Sequence, residues 1–404
     1  MAIDSGVKHV SKTGHSMLST HPAEARQRRR LLKVLACTPL LGLPGGAVLA
    51  GGNNAASAQG RAPLGVAISA CDDDTGQHFA SCTSYQGQER WRQPIKERAH
   101  GATRHPHKPW ALIFARRPGT EINVFDLETG ERITRIEAAP YRHFYGHGVF
   151  SPDGGLLYTT ENAITSGEGR IGIYDMHRDF ARLGEFASGG IGPHEIRLHP
   201  DGRQLIIANG GILTRPETGR VKLNLESMQS NLTLLDRVSG EIHWQGEPSH
   251  HQLSLRHLDV SRDGTIVAGY QYQGPGSDHH PLVVMKRPAS ETLQELPLPL
   301  EYVPQFKQYI ASIAIAPEGH LAVATAPRGN LITLWNLKTG ELETTLDFAD
   351  CAGALAVPAT QETPAGFVVS NGRGEWLLID EDGLPALGPV RLANTHWDNH
   401  LALM

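Results

Sequence analysis

The stretch INVFDLETGERI, Ile122–Ile133, decides the fold. It reads as a strand, an Asp, a short turn ending in Gly, and a second strand. It returns as LTLLDRVSGEIHW at Leu232–Trp244 and as ITLWNLKTGELETTL at Ile332–Leu346. Looser copies are IGIYDMHRDFARLGEF at Ile171–Phe186 and WLLIDEDGLPAL at Trp376–Leu387. A second phrase alternates with the first: HGVFSPDGGLLYTTE from His147, HEIRLHPDGRQLIIAN from His194, HLDVSRDGTIVAGYQ from His257 and ASIAIAPEGHLAVATA from Ala311. Two alternating hairpin phrases at a period of about 45–60 residues are the signature of a β-propeller.

Candidate inner strands begin near His100, His147, His194, Leu255, Ile310, Gly353 and Trp397, which makes seven. The last ends at the C-terminus with no partner strands after it. The first repeat-like segment, Leu64–Tyr85, has outer strands but no inner strand before it. The two halves complement each other. The chain is therefore expected to be an all-β, seven-bladed β-propeller over residues 62–404. The C-terminal strand should pair with the N-terminal hairpin, leaving no free sheet edge. Pro-Asp-Gly at Pro152–Gly154 and Pro200–Gly202 suits tight hairpins. Two segments are long for such a fold, Gly210–Gln229 in blade three and Gln271–His280 in blade four, and loops of that kind tend to carry function.

Residues 1–58 read as an export signal. Arg28-Arg29-Arg30-Leu31-Leu32-Lys33 fits the twin-arginine pattern, and Leu31–Ala50 is moderately apolar but broken by Pro39 and Pro44. Ala56-Ser57-Ala58 offers a cleavage site. The expected location is the periplasm, with no membrane span in the mature protein. Cys71 and Cys82 flank a turn without facing each other, so free buried thiols are expected there. The formal net charge of −5 gives no basic footprint for nucleic acid. A monomer is the expected state.

The 21 histidines matter by placement. His100, His147, His194, His257 and His400 all fall at the start of a candidate inner strand, where equivalent positions ring one mouth of the channel. Converging imidazoles suit iron, copper or zinc. The register is uneven. His100 and His194 lie six residues before the turn, His147 and His257 five, so their side chains should alternate in facing unless a bulge realigns them. Glu195 and Asp398 are placed to ligate a metal or to orient an imidazole. Arg142, His143, Tyr145, Arg256 and Arg328 lie near the same strand ends and suit an anion such as a carboxylate or a metal chelate. Gly167-x-Gly169-x-x-Gly172 precedes a strand rather than a helix, so it is not a dinucleotide fingerprint. No catalytic residue is assigned.

The chain resembles domain-of-unknown-function family 1513, exported bacterial propellers within the group of YVTN-type propellers and amine dehydrogenase β-chains. The segments that carry the resemblance are RHFYGHGVFSPDG at Arg142–Gly154, IGPHE at Ile191–Glu195, ANGGILTRPETGRVKLNLESM at Ala208–Met228, RHL at Arg256–Leu258, QYQG at Gln271–Gly274, APRGN at Ala326–Asn330 and WDNH at Trp397–His400. Cys71 stands where the family pattern leads us to expect Arg. The resemblance implies a periplasmic propeller without an assigned activity. It also implies a setting in iron uptake, with imelysin-like or di-haem oxidoreductase partners. The function expected is binding of a metal, a metal chelate or a protein at the histidine-lined mouth. A metal-dependent oxidoreductase or hydrolase, or a pure interaction scaffold, are the alternatives.

Overall fold

The structure is a computed structural model and describes residues 65–403, except 220 and 361–363. The expected export signal and the first residues of the expected propeller lie outside the described residues. Seven antiparallel sheets are present. Six have four strands in simple up-and-down order, with inner strands Ala99–Arg104, Arg142–Phe150, Pro193–Leu198, Leu253–Val260, Ser312–Ile315 and Cys351–Val357 for blades one to six. Blade seven joins the two ends of the described chain. His396–Trp397 and Ala402–Leu403 pair with Val66–Asp72, followed by His78–Ser84 and Glu89–Pro94. Among the described residues, no helix is long and apolar enough to cross a membrane.

The repeated Asp explains the outer hairpins. Asp126 Oδ1 accepts hydrogen bonds from the backbone N–H groups of Glu128 and Thr129, both at 2.9 Å. Asp236 does the same for Val238 and Ser239, and Asn336 for Lys338 and Thr339. A short carboxylate or amide thus replaces the missing backbone acceptor in the turn. The glycine that follows takes the left-handed conformation, φ +75° at Gly130 and Gly240, where a Cβ would be strained.

Alternating apolar residues bury each sheet against its neighbours. Leu255 and Met285 of blade four share one buried cluster with Ile313, Ala324 and Trp335 of blade five. Cys71, Cys82 and Cys351 are free and buried. Cys71 lies opposite Phe79, and Cys82 opposite Ile68, so the two are out of register for a bridge.

Closure rests on few bonds. Cys71 pairs with Trp397 and Ala67 with Leu403 in the ladder. Ser69 Oγ donates to the His400 carbonyl at 2.6 Å, and the Asp398 N–H donates to the Ala70 carbonyl at 2.9 Å. Trp397 is buried with its ring 5.4 Å from that of Trp376 in blade six. Trp397→Ala is expected to cost about 3–5 kcal/mol by leaving a cavity at this seam. Deleting residues 397–404 should abolish cooperative unfolding. Thermal melts followed by circular dichroism test both, and a truncated chain that melts like the full one would contradict this account of closure.

Candidate metal centre

Four inner strands, and the link between His396–Trp397 and Ala402–Leu403 in blade seven, deliver a histidine to one place. The His400 ring centroid lies 4.3 Å from those of His100 and His257 and 4.8 Å from that of His147. His194 lies 4.7 Å from His257 and 5.4 Å from His100. Three overlapping sets, His100/His257/His400, His100/His147/His194 and His147/Glu195/His257, each place their ligand atoms within 4.8 Å of one another. His100, His147, His257 and His400 are buried, and His194 is partly exposed. Blades five and six bring small or apolar residues, such as Ser312, Ile313 and Ala354, to their side of the centre.

The uneven spacing in sequence is absorbed by bulges. The ladder slips between Ala99 and Ala102, between Phe144 and Gly148, between Pro193 and Glu195, and between Leu255 and His257. In each case the inner strand carries extra residues at or beside its histidine, which re-aims the side chain. Two glycines make the room. A Cβ on Gly101 would lie 2.6 Å from His147 Nδ1, and one on Gly146, at φ +111°, would lie 2.8 Å from His100 Cδ2.

Two buried carboxylates stand behind the imidazoles. Asp398 Oδ1 is 3.4 Å from His100 Nδ1, and its Oδ2 accepts from Arg98 Nε at 2.7 Å. Glu195 Oε2 is 3.2 Å from His257 Nδ1 and accepts the Leu258 N–H at 3.0 Å. Its Oε1 pairs with Arg197 at 2.8 Å and lies 3.9 Å from His147 Nδ1. Burial alone would raise both acids. Arg197, His147 and His257 outweigh it at Glu195, as His100, Arg116 and Arg98 do at Asp398, and both are held well below the usual carboxylate range. Burial pushes His100 down to about 4 against the pull of Asp398, and holds His147, His194 and His400 far below their ordinary value. The cluster is therefore neutral imidazole at pH 7, the form that binds metal. The Nε2 atoms of His100, His147 and His400 are buried without a hydrogen-bond partner.

A cavity of about 460 Å³ opens on one side of the cluster, and His100, His194 and His257 form part of its wall. Arg256 reaches His194, its Nη1 donating to Nδ1 at 3.4 Å. Tyr145 accepts from Arg117 Nη1 at 2.9 Å, and Arg328 lies over the Tyr309 ring. Burial, then Arg117, lowers Arg256 to about 10. Both long segments contribute: Ile212, Thr214 and Lys222 from one, Gln271 to Gly274 from the other.

The sequence expectations for Tyr145, Arg256 and Arg328 thus place them on this cavity. Arg142 and His143 are not on its wall. Arg142 is clamped by Glu185 through bonds of 2.8 and 2.7 Å, because its side chain points along its own blade. His143 bonds the Phe144 carbonyl and stacks behind Tyr145. Sequence reasoning missed Arg116, Arg117, Lys222 and Tyr309. A signal existed: Arg116-Arg117 follows the second strand of blade one as Arg328 follows that of blade five, and such loops face the same mouth.

Over residues 93–404 the sequence matches the family described as protein of unknown function (DUF1513). No curated protein matches it. Among solved structures, hydrazine synthase of Kuenenia stuttgartiensis is similar, with a TM-score of 0.56 at 13% identity, covering 85% of this chain and 100% of that one. A structural likeness of that degree, at so low an identity, shows a shared fold alone.

The depressed imidazoles set a pH dependence. The unfolded chain takes up these protons below about pH 6.5, whereas the folded His100 resists until about 4. Stability of the metal-free protein is therefore full above pH 6.5 and is lost as pH falls from 6.5 toward 4, by roughly 3 kcal/mol from His100 alone. Urea midpoints across this window measure it, and a flat profile would count against neutral burial. Gly146→Ala should lower the unfolding free energy at every pH by about 1–3 kcal/mol, through overpacking and backbone strain.

Proposed function

The chain belongs to the DUF1513 family of proteins of unknown function, and we propose that it is a metal-binding propeller holding one transition-metal ion on its central imidazoles. The observation that carries this is the set of buried, unpartnered Nε2 atoms on His100, His147 and His400. A buried polar atom without a partner costs about 1–3 kcal/mol. Three such atoms in one cluster would be offset by a shared cation. Carboxylates on Nδ1 of His100 and His257 fix the tautomer with the Nε2 lone pair turned away, as at histidine metal sites generally. An all-imidazole set favours iron, copper, zinc or nickel over calcium or magnesium. His100, His147, His257 and His400 are the ligands in this reading. His194, whose Nδ1 accepts from Arg256, stands at the open face toward the cavity.

We propose that this centre serves periplasmic iron handling, a reading supported by the export-signal pattern within residues 1–58 and by the resemblance to iron-linked propellers, so iron is the first metal to test. Binding without turnover is the primary reading. The open face at His194 favours metal-dependent redox or hydrolytic chemistry as the second.

Metal analysis of protein purified from the periplasm tests the proposal, followed by titration of the stripped protein with Fe(II), Cu(II) and Zn(II). We expect close to one ion per chain. His400→Ala should lose it, and Asp398→Asn should weaken it about 10–100-fold. His243→Ala, on an outer strand, should change nothing. No bound metal, together with affinities weaker than about 1 μM for all three ions, would sink the reading.

A further inference from the structure

We infer that the cavity beside the histidines is a binding site for a small organic polycarboxylate. It rests on the metal reading only in that the anion would sit within reach of the ion. Five cations line the cavity: Arg116, which pairs with Asp398 at 3.6 Å, and four more, Arg117, Lys222, Arg256 and Arg328. None of the four forms an ion pair with a carboxylate among the described residues, and no Asp or Glu lies on the cavity wall. Arg256 is 8% exposed, with its Nε buried and unpartnered. Cations gathered without counter-charge repel one another, and a buried guanidinium left without an anion is strongly destabilising. An anion in the cavity would remove both costs.

The size and shape of the cavity set the class. About 460 Å³ is far more than an inorganic ion fills, and it lies in the range of cavities that bury small organic ligands. Arg117 is held over the Tyr145 ring at 5.2 Å and Arg328 over the Tyr309 ring at 4.5 Å. A guanidinium braced on an aromatic face keeps its planar edge of N–H groups for a carboxylate fork. Arg117 and Arg328 come from blades one and five, so the cations are spread around the mouth rather than gathered at one point. One carboxylate cannot satisfy them all, and a ligand with two or three can. A metal held by neutral imidazoles adds further positive charge on the same side, which strengthens the field on such an anion.

The test is calorimetric titration of chelator-stripped full-length protein with citrate, succinate, acetate and orthophosphate. Working without metal keeps citrate from competing for the ion, and it separates failure of this inference from failure of the metal reading. Citrate is expected to bind most tightly, with succinate next and acetate and orthophosphate at least about tenfold weaker than citrate. Arg117→Gln and Arg328→Gln should each weaken citrate at least about tenfold. Both should leave zinc affinity in anion-free buffer within about twofold, because neither side chain touches an imidazole of the cluster. No citrate binding, orthophosphate binding as tightly as citrate, or citrate binding unmoved by both variants overturns the inference, whether or not the protein binds metal.

Discussion

Everything in this protein depends on the seam where Trp397 and Ala402–Leu403 meet Val66–Asp72. A propeller blade cannot bury both of its faces alone, so the ring is stable only if it closes. Here closure uses two short ladders, the Ser69–His400 and Asp398–Ala70 hydrogen bonds, and the buried Trp397 ring. The same eight-residue segment carries Asp398 and His400 into the centre. Folding and site assembly are thereby one event, because the carboxylate behind His100 comes from some 300 residues further along the chain.

The centre itself is an exception to the rules that build the rest. Between the blades, apolar residues fill the space. At the centre, the inner strands abandon regular pairing, and Gly101 and Gly146 stand where any larger residue would collide with an imidazole. Polar rings with unpartnered nitrogens are held buried, and two carboxylates are kept ionised by Arg98, Arg116 and Arg197. Such local violations are characteristic of functional sites, where stability is given up for a prepared geometry.

The two faces of the cluster differ. On one side lie the arginines, Lys222 and the tyrosines, walled by the long segments of blades three and four. On the other side, His147, His400, Glu195 and Arg197 border a narrow space of about 10 Å³, and a cavity of about 590 Å³ lined by Arg197, Asp259, Ile313 and Ala354 adjoins it. One approach for a ligand runs over His194 and Arg256. Placing the inserted loops of two blades on that side gives the opening its chemistry without disturbing the sheets, as loops on a rigid scaffold commonly do.

The sequence by itself determined the number of blades, their closure and the five histidines, because strand period, Asp and Gly turns and repeat spacing are local properties that each residue writes along the chain. It also marked Glu195 and Asp398 beside the histidines, and Arg256 and Arg328 near the strand ends. Only the tertiary structure decided that the one-residue disagreement in register among the histidines is absorbed by bulges, since a bulge is set by the partner strand and by the space left by Gly101 and Gly146. It alone turned Arg142 toward Glu185 and brought Arg117 and Lys222 to the cavity. The destination of a long charged side chain is fixed by the nearest compensating group in space, and no periodicity in the sequence encodes that distance.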